Sequence, residues 1–315
     1  MTESGWLEEP GVPGDVGTVL TVGTFDGVHL GHWTILQEIS ERARVTKSRS
    51  VLVTFEPHPL KVVSPESAPQ LLTTPLEKKV LLAESGLDYA VFIAFNEALS
   101  KYDPMRFVKE ILVERFQVKQ LVIGYDHGFG RDRSGNVDTL RNIGAELGFQ
   151  VYVVRPVEVG GAKVSSTRIR DALALGHIAE VELCLGRPYS IHGTVVVGDE
   201  RGQELGFPTA NLSLPDQDKL LPCPGIYAVQ CEVGGKGYTG ALHLGPRPTF
   251  EGLSSTIEVH LLDFDQDIYG CEVTVHFVKF LREIVSFDDP EYLIEQMRID
   301  TEEARVAVDE KERSI

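Results

Sequence analysis

The sequence is short of positive charge, poor in cysteine and without any long apolar run. Thirty Lys and Arg stand against 47 Asp and Glu, a formal net charge of −17. That balance argues against a broad nucleic-acid surface or an anionic membrane as partner. It leaves a small anionic ligand open, because such a ligand needs only a local cluster of donors. No stretch reaches the roughly 18 apolar residues of a membrane span. The four cysteines, Cys184, Cys223, Cys231 and Cys271, show no Cys-x-x-Cys spacing. They read as free thiols of a reducing cytoplasm rather than zinc ligands or disulfides. Gly-x4-Gly-Lys-Ser/Thr is missing throughout, which excludes a P-loop nucleotide site. The first 16 residues are acidic and rich in Gly and Pro, the opposite of a signal peptide, and are expected to form a flexible tail. Neither an internal repeat nor a low-complexity tract is present.

What remains is an ordinary globular composition, 42% hydrophobic over 315 residues, long enough for two domains with full cores. Near its start stands Gly23-Thr24-Phe25-Asp26-Gly27-Val28-His29-Leu30-Gly31-His32. The apolar run Thr18–Val22 leads into it. An amphipathic stretch from Trp33 to Ala43 follows, with Ile35, Leu36, Ile39 and Ala43 at helical spacing. Strand, glycine turn and helix in this order aim backbone N–H groups and a positive helix end at an anion. His29 and His32 are three residues apart and share a helix face. Two imidazoles over a helix N-terminus suit a polyphosphate that gains charge in its transition state. The plain alternative is a pair of satisfied polar histidines in a tight turn. A metal pair is disfavoured, since no third ligand lies nearby in sequence.

Strand and helix patterns alternate through the first half. Strands are expected at Ser50–Phe55, Tyr89–Phe95, Gln120–Ile123 and Val151–Val154. Thr74-Pro75-Leu76-Glu77 reads as a capping box opening a helix that ends near Gly86. Further helices are expected over Pro104–Phe116 and over Leu140–Leu147, the second closed by Gly148. This alternation implies a parallel sheet with helices on both faces, whose ligands bind beyond the carboxyl ends of the strands. His29, His58 and Asp126 all lie at such ends. After about Cys184 the helices stop. Tyr189–Val197, Ile226–Val233, Tyr238–Leu244, Thr256–Asp263 and Glu272–Leu281 read as strands of a closed antiparallel barrel. Asp289-Pro290 opens a final helix with Leu293, Ile294 and Met297 facing inward. The expected domains are 17–184 and 185–315.

Three more segments carry chemistry. The glycine-rich stretch 124–136 lets a ligand approach the backbone, or is simply a long solvated loop. Val164-Ser165-Ser166-Thr167-Arg168 offers hydroxyls that cap the next helix and an arginine fork suited to phosphate; an ordinary N-cap with surface arginines is the commoner case. In the second half, glycines from Gly193 to Gly206 frame a loop followed by Pro208-Thr209-Ala210-Asn211. Thr209 and Asn211 are hard oxygen ligands two residues apart, suited to magnesium already held by phosphates. The alternative is a glycine-rich hairpin. Glu258, in Thr256–Phe264, reads on the residues alone as a solvated glutamate on a strand.

Gly23–His32 resembles the His-x-Gly-His signature of the nucleotidyltransferases, and in its ten-residue form the flavin adenylyltransferase branch. Thr54–Pro59 and the segments around Asp126 and Ser165 match that branch in order and approximate spacing. The stretch 193–211, with Pro222–Tyr227 and 245–264, is similar to riboflavin kinases. End to end, the chain resembles the bacterial bifunctional riboflavin kinase and FMN adenylyltransferase family. The resemblance implies a Rossmann-like nucleotidyltransferase domain, then a kinase barrel with a terminal helix. It implies that riboflavin and ATP give FMN, that FMN and a second ATP give FAD and pyrophosphate, and that Mg2+ serves both steps.

On this resemblance, Gly23, Phe25, His29, His32, Ser165, Thr167 and Arg168 belong to ATP in the first site, with His58 and Asp126 near flavin or nucleotide. Gly193, Gly198, Gly206, Pro208 and Thr209 belong to ATP in the second, Thr209 and Asn211 to the metal, and Glu258 is the base. His127, where the family often has an aromatic residue, Gln203, where it often has arginine, and His243, where it often has asparagine, depart from the pattern. An adenylyltransferase whose barrel only binds flavin, a non-catalytic flavin-binding regulator and a tRNA-linked ligase are the competing readings. The acidic charge speaks against the last.

Overall fold

The computed structural model describes residues 16–125, 136–198, 206–249 and 252–313. Asp126, His127, Gln203 and all but Val16 of the expected tail lie outside the described residues. By contacts the chain divides into two units, Met1–Ser166 and Thr167–Ile315.

The first unit is built on a five-stranded parallel sheet in the order β3-β2-β1-β4-β5. Its strands are β1 Thr18–Val22, β2 Arg49–Glu56, β3 Tyr89–Ala94, β4 Val118–Gly124 and β5 Gln150–Val154. The helices are α1 Leu30–Thr46, α2 Pro59–Val63, α3 Pro75–Ala83, α4 Glu97–Ser100, α5 Pro104–Phe107 and α6 Val137–Leu147. The strands are near-continuous apolar runs because both faces are covered. Val19, Leu52 and Val122 face Leu36, Ile39 and Leu82 of α1 and α3. Leu20, Val51, Val53 and Leu121 face a second cluster with Phe107, Ile111, Leu112 and Leu140. The order reverses at β1, so the crevice beyond the carboxyl ends of β1 and β4 is the natural ligand position.

The helix expected over Pro104–Phe116 is α-helical only to Phe107. Val108–Val113 is π-helical, with Glu114 N–H bonded to the Lys109 carbonyl at 3.0 Å. The buried residues Phe107, Val108, Ile111, Leu112 and Phe116 recur about every four positions. A widened turn keeps all of them on the sheet, where an ordinary helix would rotate some away. The Thr74–Glu77 capping box is present, with reciprocal bonds of 2.9 and 3.2 Å. A short hairpin, β6 Glu158–Val159 and β7 Ala162–Lys163, was not anticipated.

The second unit contains α7 Ser166–Ala174 from Thr167 onward, then α8 Ile178–Leu185, a closed six-stranded antiparallel barrel and a C-terminal helix. The contact division therefore groups α7 and α8 with the barrel. The barrel runs β10-β11-β12-β9-β8-β13 and closes through β10 and β13. Its strands are β8 Ser190–Val196, β9 Ala210–Ser213, β10 Gly225–Val233, β11 Lys236–Thr249, β12 Gly252–Leu261 and β13 Glu272–Arg282. Strand β9, only four residues long, was not foreseen. Tyr227, Val229, Leu242, Leu244, Ile257, Val259, Val275 and Phe277 are buried.

The last helix, α9 Pro290–Glu312, opens on Asp289 as expected. Leu293, Ile294 and Met297 are only half-buried. The buried face lies further on, where Ala304 and Ala307 meet Ala228 of the barrel wall. Asp300, also buried, receives Arg282 in a two-pronged pair at 2.6 and 2.8 Å.

Half-buried His276 on β13 is pushed below the ordinary imidazole value, chiefly by burial; Glu232 opposes this and Lys311 of α9 reinforces it. The unfolded chain then binds the extra proton first, below about pH 6.5. Stability from this group is therefore lost as pH falls through that value. Denaturant midpoints at pH 7.5 and 5.5 should show a smaller acid-side loss in His276→Gln than in the unsubstituted chain.

Candidate active sites

In the first unit the turn between β1 and α1 is set by backbone that most residues avoid. Phe25 has φ 48°, Gly27 84° and Val28 39°. Such angles cost a bulky or β-branched residue free energy, so the surroundings must impose them. Phe25 and Val28 are buried. Asp26, also buried, accepts from Leu72 N–H and Thr73 N–H at 3.0 and 3.2 Å. Gly27 N–H donates to Thr73 Oγ1 at 3.1 Å, and Ser166 Oγ donates to the Asp26 carbonyl at 2.9 Å. The Thr24 carbonyl accepts from Thr54 Oγ1 at 3.1 Å and from buried Lys78 Nζ at 2.9 Å.

The turn delivers the two histidines as a reciprocal cap. His29 is the N-cap of α1, and its Nδ1 accepts from His32 N–H at 3.3 Å. His32 Nδ1 accepts from His29 N–H at the same distance. The rings stack with centroids 3.6 Å apart, and Phe25 stacks on His32 at 4.5 Å. A backbone N–H only donates, so each Nδ1 is an acceptor and the ring proton sits on Nε2. Both imidazoles are thus neutral N–H donors. The first turn of α1 carries no acidic residue, so nothing within it offsets the positive helix end.

The other expected residues are distributed as follows. Gly23 ends β1, bonded to the Val53 carbonyl at 3.1 Å, and an added Cβ would meet the Phe25 ring at 3.1 Å. His58 is the N-cap of α2, and its Nδ1 accepts from Leu60 N–H at 3.3 Å. Ser165 precedes α7, beside the Ser166 that grips Asp26. Thr167 and Arg168 fall in the second unit, where Arg168 Nε donates to Glu180 at 2.8 Å. Their expected phosphate role rests on the sequence pattern alone. The anchors Asp26 and Lys78 were not singled out from sequence, although a lysine four residues before buried Leu82 on a helix was a legible signal.

In the barrel, strand register assembles the site. Glu258 of β12 pairs with His243 of β11 on one side and Asn211 of β9 on the other. Buried Leu242, Leu244, Ile257 and Val259 alternate with them, so His243 and Glu258 point to the opposite, outer face. Burial lowers the His243 imidazole; Glu258 pulls it up and Arg282 pushes it down. A Cβ on Gly245 would stand 2.5 Å from the His243 ring, and one on Gly198 would stand 2.0 Å from Asn211 Nδ2. A Cβ on Gly193 would stand 2.9 Å from the Ser213 carbonyl, and Gly206 has φ 84°. Pro208 accepts from His260 Nδ1 at 2.8 Å, fixing the segment that leads through Thr209 into β9.

A family model described as FAD synthetase matches residues 13–168, and one described as riboflavin kinase matches 185–308. The bifunctional riboflavin kinase/FMN adenylyltransferase of Escherichia coli K12 is 39% identical over 92% of both chains. The Bacillus subtilis protein of that name is 34% identical over 91% of both. The chain belongs to the bifunctional riboflavin kinase/FMN adenylyltransferase family. A crystal structure described as a macrolide-efflux protein from Streptococcus pneumoniae matches with TM-score 0.85 and 31% identity, covering 94% of this chain and 96% of that one. Among the described residues, no helix is long and apolar enough to cross a membrane.

The family's adenylyltransferase half is the part built on the strained turn. Asp26→Ala should leave the Leu72 and Thr73 N–H groups without their acceptor and destabilise the chain by about 1–3 kcal/mol, measured by chemical denaturation.

Proposed function

We propose that this chain makes FMN from riboflavin and ATP in its barrel, and FAD from FMN and a second ATP in its parallel-sheet domain. The observation that carries the reading is the presence of both family regions on one chain, each over its own site geometry. The sequence assigns 17–184 to adenylyl transfer and 185–315 to the kinase.

For adenylyl transfer, an FMN phosphate oxygen attacks the α-phosphorus of ATP. The new O–P bond forms as the bond to pyrophosphate breaks. A phosphate attacks as its anion (second pKa about 6), so no general base is required. The work is positioning and charge neutralisation. The Nε2–H groups of His29 and His32 and the N-terminus of α1 supply donors to the triphosphate, with Gly23 and Phe25 shaping the approach. Ser165 stands at the same turn.

For the kinase step, Glu258 takes the proton from the ribityl 5′-hydroxyl as that oxygen attacks the γ-phosphorus and ADP leaves. Register puts Asn211 beside Glu258, and the Thr209 hydroxyl lies two residues before Asn211. These neutral oxygens with ATP phosphates are a donor set that fits Mg2+. When bound, the ion neutralises charge on the β- and γ-oxygens. Gly193, Gly198, Gly206 and Pro208 form the close-approach backbone for the nucleotide.

Chromatography of protein incubated with riboflavin, ATP and Mg2+ should show FMN first and FAD after it; unchanged riboflavin would refute the kinase. Glu258→Ala should stop FMN formation while FAD still forms from supplied FMN, and His32→Ala should do the reverse. Either change abolishing both activities in folded protein would defeat the two-site picture. Gly198→Ala should displace Asn211 and slow FMN formation, leaving FAD formation from FMN intact in the same assay.

A further inference from the structure

Lys78 is a buried cation that neither reaction above uses. It lies on the inward face of α3, one turn before buried Leu82. An ammonium there loses its hydration, where an apolar side chain would not. Its Nζ donates to the Thr24 carbonyl at 2.9 Å, and Thr54 Oγ1 donates to the same oxygen at 3.1 Å. Both lone pairs of that carbonyl are therefore engaged, which holds the Thr24–Phe25 peptide plane from two sides. Phe25 follows directly in its left-handed conformation, with its ring stacked on His32.

The groups facing Lys78 are identifiable. Asp26 of the turn and Glu56 at the end of β2 favour the ammonium; burial, the largest influence, and neighbouring Lys79 disfavour it. The result is a lysine below its ordinary range. Asp26 already binds the Leu72 and Thr73 backbone, so the directed contact of Lys78 is the carbonyl of the histidine turn.

We propose that Lys78 is a positioning residue for adenylyl transfer, its ammonium clamping the Thr24 carbonyl and thereby setting, through Phe25, the plane of the His32 imidazole. This rests on the reading of His29 and His32 as the phosphate donors. Because it is charged, the bond to Thr24 is stronger than a neutral one. That charge assistance is lost when Lys78 gives up its proton, leaving a weaker amine donor.

The test is steady-state kinetics of both reactions on the full chain. In Lys78→Met, kcat for FAD formation from supplied FMN should fall about 10²-fold, the scale of a small misplacement of a reacting group. KM for ATP should change little. FMN formation from riboflavin should be unchanged, which reports an intact second unit, while the chemical-denaturation midpoint of the first unit reports whether that unit is folded. Lys78→Arg keeps a charged donor and should recover most of the rate. The pH profile supplies a reading independent of folding. FAD formation by the unsubstituted chain should decline on the alkaline side, below the usual lysine range. Lys78→Arg should abolish that decline, since guanidinium keeps its proton.

Undiminished FAD formation in Lys78→Met, or identical alkaline limbs for the unsubstituted chain and Lys78→Arg, would overturn the proposal. Should Lys78→Met lose FMN formation as well, the two pH profiles decide. His32→Ala separates the two levels. If it leaves FAD formation intact, the phosphate-site reading itself fails. If it abolishes FAD formation while Lys78→Met is silent, only the positioning role fails.

Discussion

The first unit depends on a turn that its own residues resist. Phe25 and Val28 hold left-handed backbone angles at a cost on the order of 1–3 kcal/mol each. Burial of both side chains, the Asp26 carboxylate on the 72–73 backbone and the doubly bonded Thr24 carbonyl offset that cost. The strain has a geometric return. Only with Phe25 turned this way does its ring lie on His32. The reciprocal His29–His32 cap then fixes both tautomers. The turn itself thus sets the orientation of both rings, and on the proposed reading this preorganises the phosphate donors.

In the barrel, none of the three described residues of the candidate row, Asn211, Glu258 and His243, has left-handed backbone. Asn211, Glu258 and His243 are neighbours because three strands are in register, and register is enforced by the apolar residues alternating with them. A one-residue slip would drive Glu258 into the core and Ile257 out of it. The glycines then act as clearances. The Asn211 amide occupies the space a Cβ on Gly198 would take, and the His243 ring the space of one on Gly245. In the first unit glycine permits a conformation, at Gly27; in the second it mainly permits proximity.

This difference explains what was legible in the sequence. The parallel sheet announced itself through apolar runs alternating with helical spacing, and the histidine turn through its glycines. Strand β9 did not, because Ala210–Ser213 is only four residues long and without clear alternation. The π-helical stretch was hidden for a different reason: local spacing shows an apolar face but not how far a turn widens to bury it. Helix α8 carries Ile178, Val181, Cys184 and Leu185 at helical spacing, so its signal is present in the local sequence. Asp26 was visible in the motif, yet its role lies in a contact 46 residues away, which spacing alone does not disclose.

The charge of the chain poses the remaining question. A net charge of −17 repels ATP and FMN at long range. Screening confines that repulsion, since exposed charges more than about 8 Å apart are largely shielded at physiological salt. Inside the site, the near donors decide. On the proposed reading, the near donors are the Nε2–H groups of His29 and His32 and the N-terminus of α1. Neutral N–H donors of this kind act by direction rather than by net charge. One layer behind, Lys78 bonds the Thr24 carbonyl of the turn that carries both histidines. On that reading an acidic chain handles polyanionic substrates through locally oriented N–H groups that a strained turn holds in place.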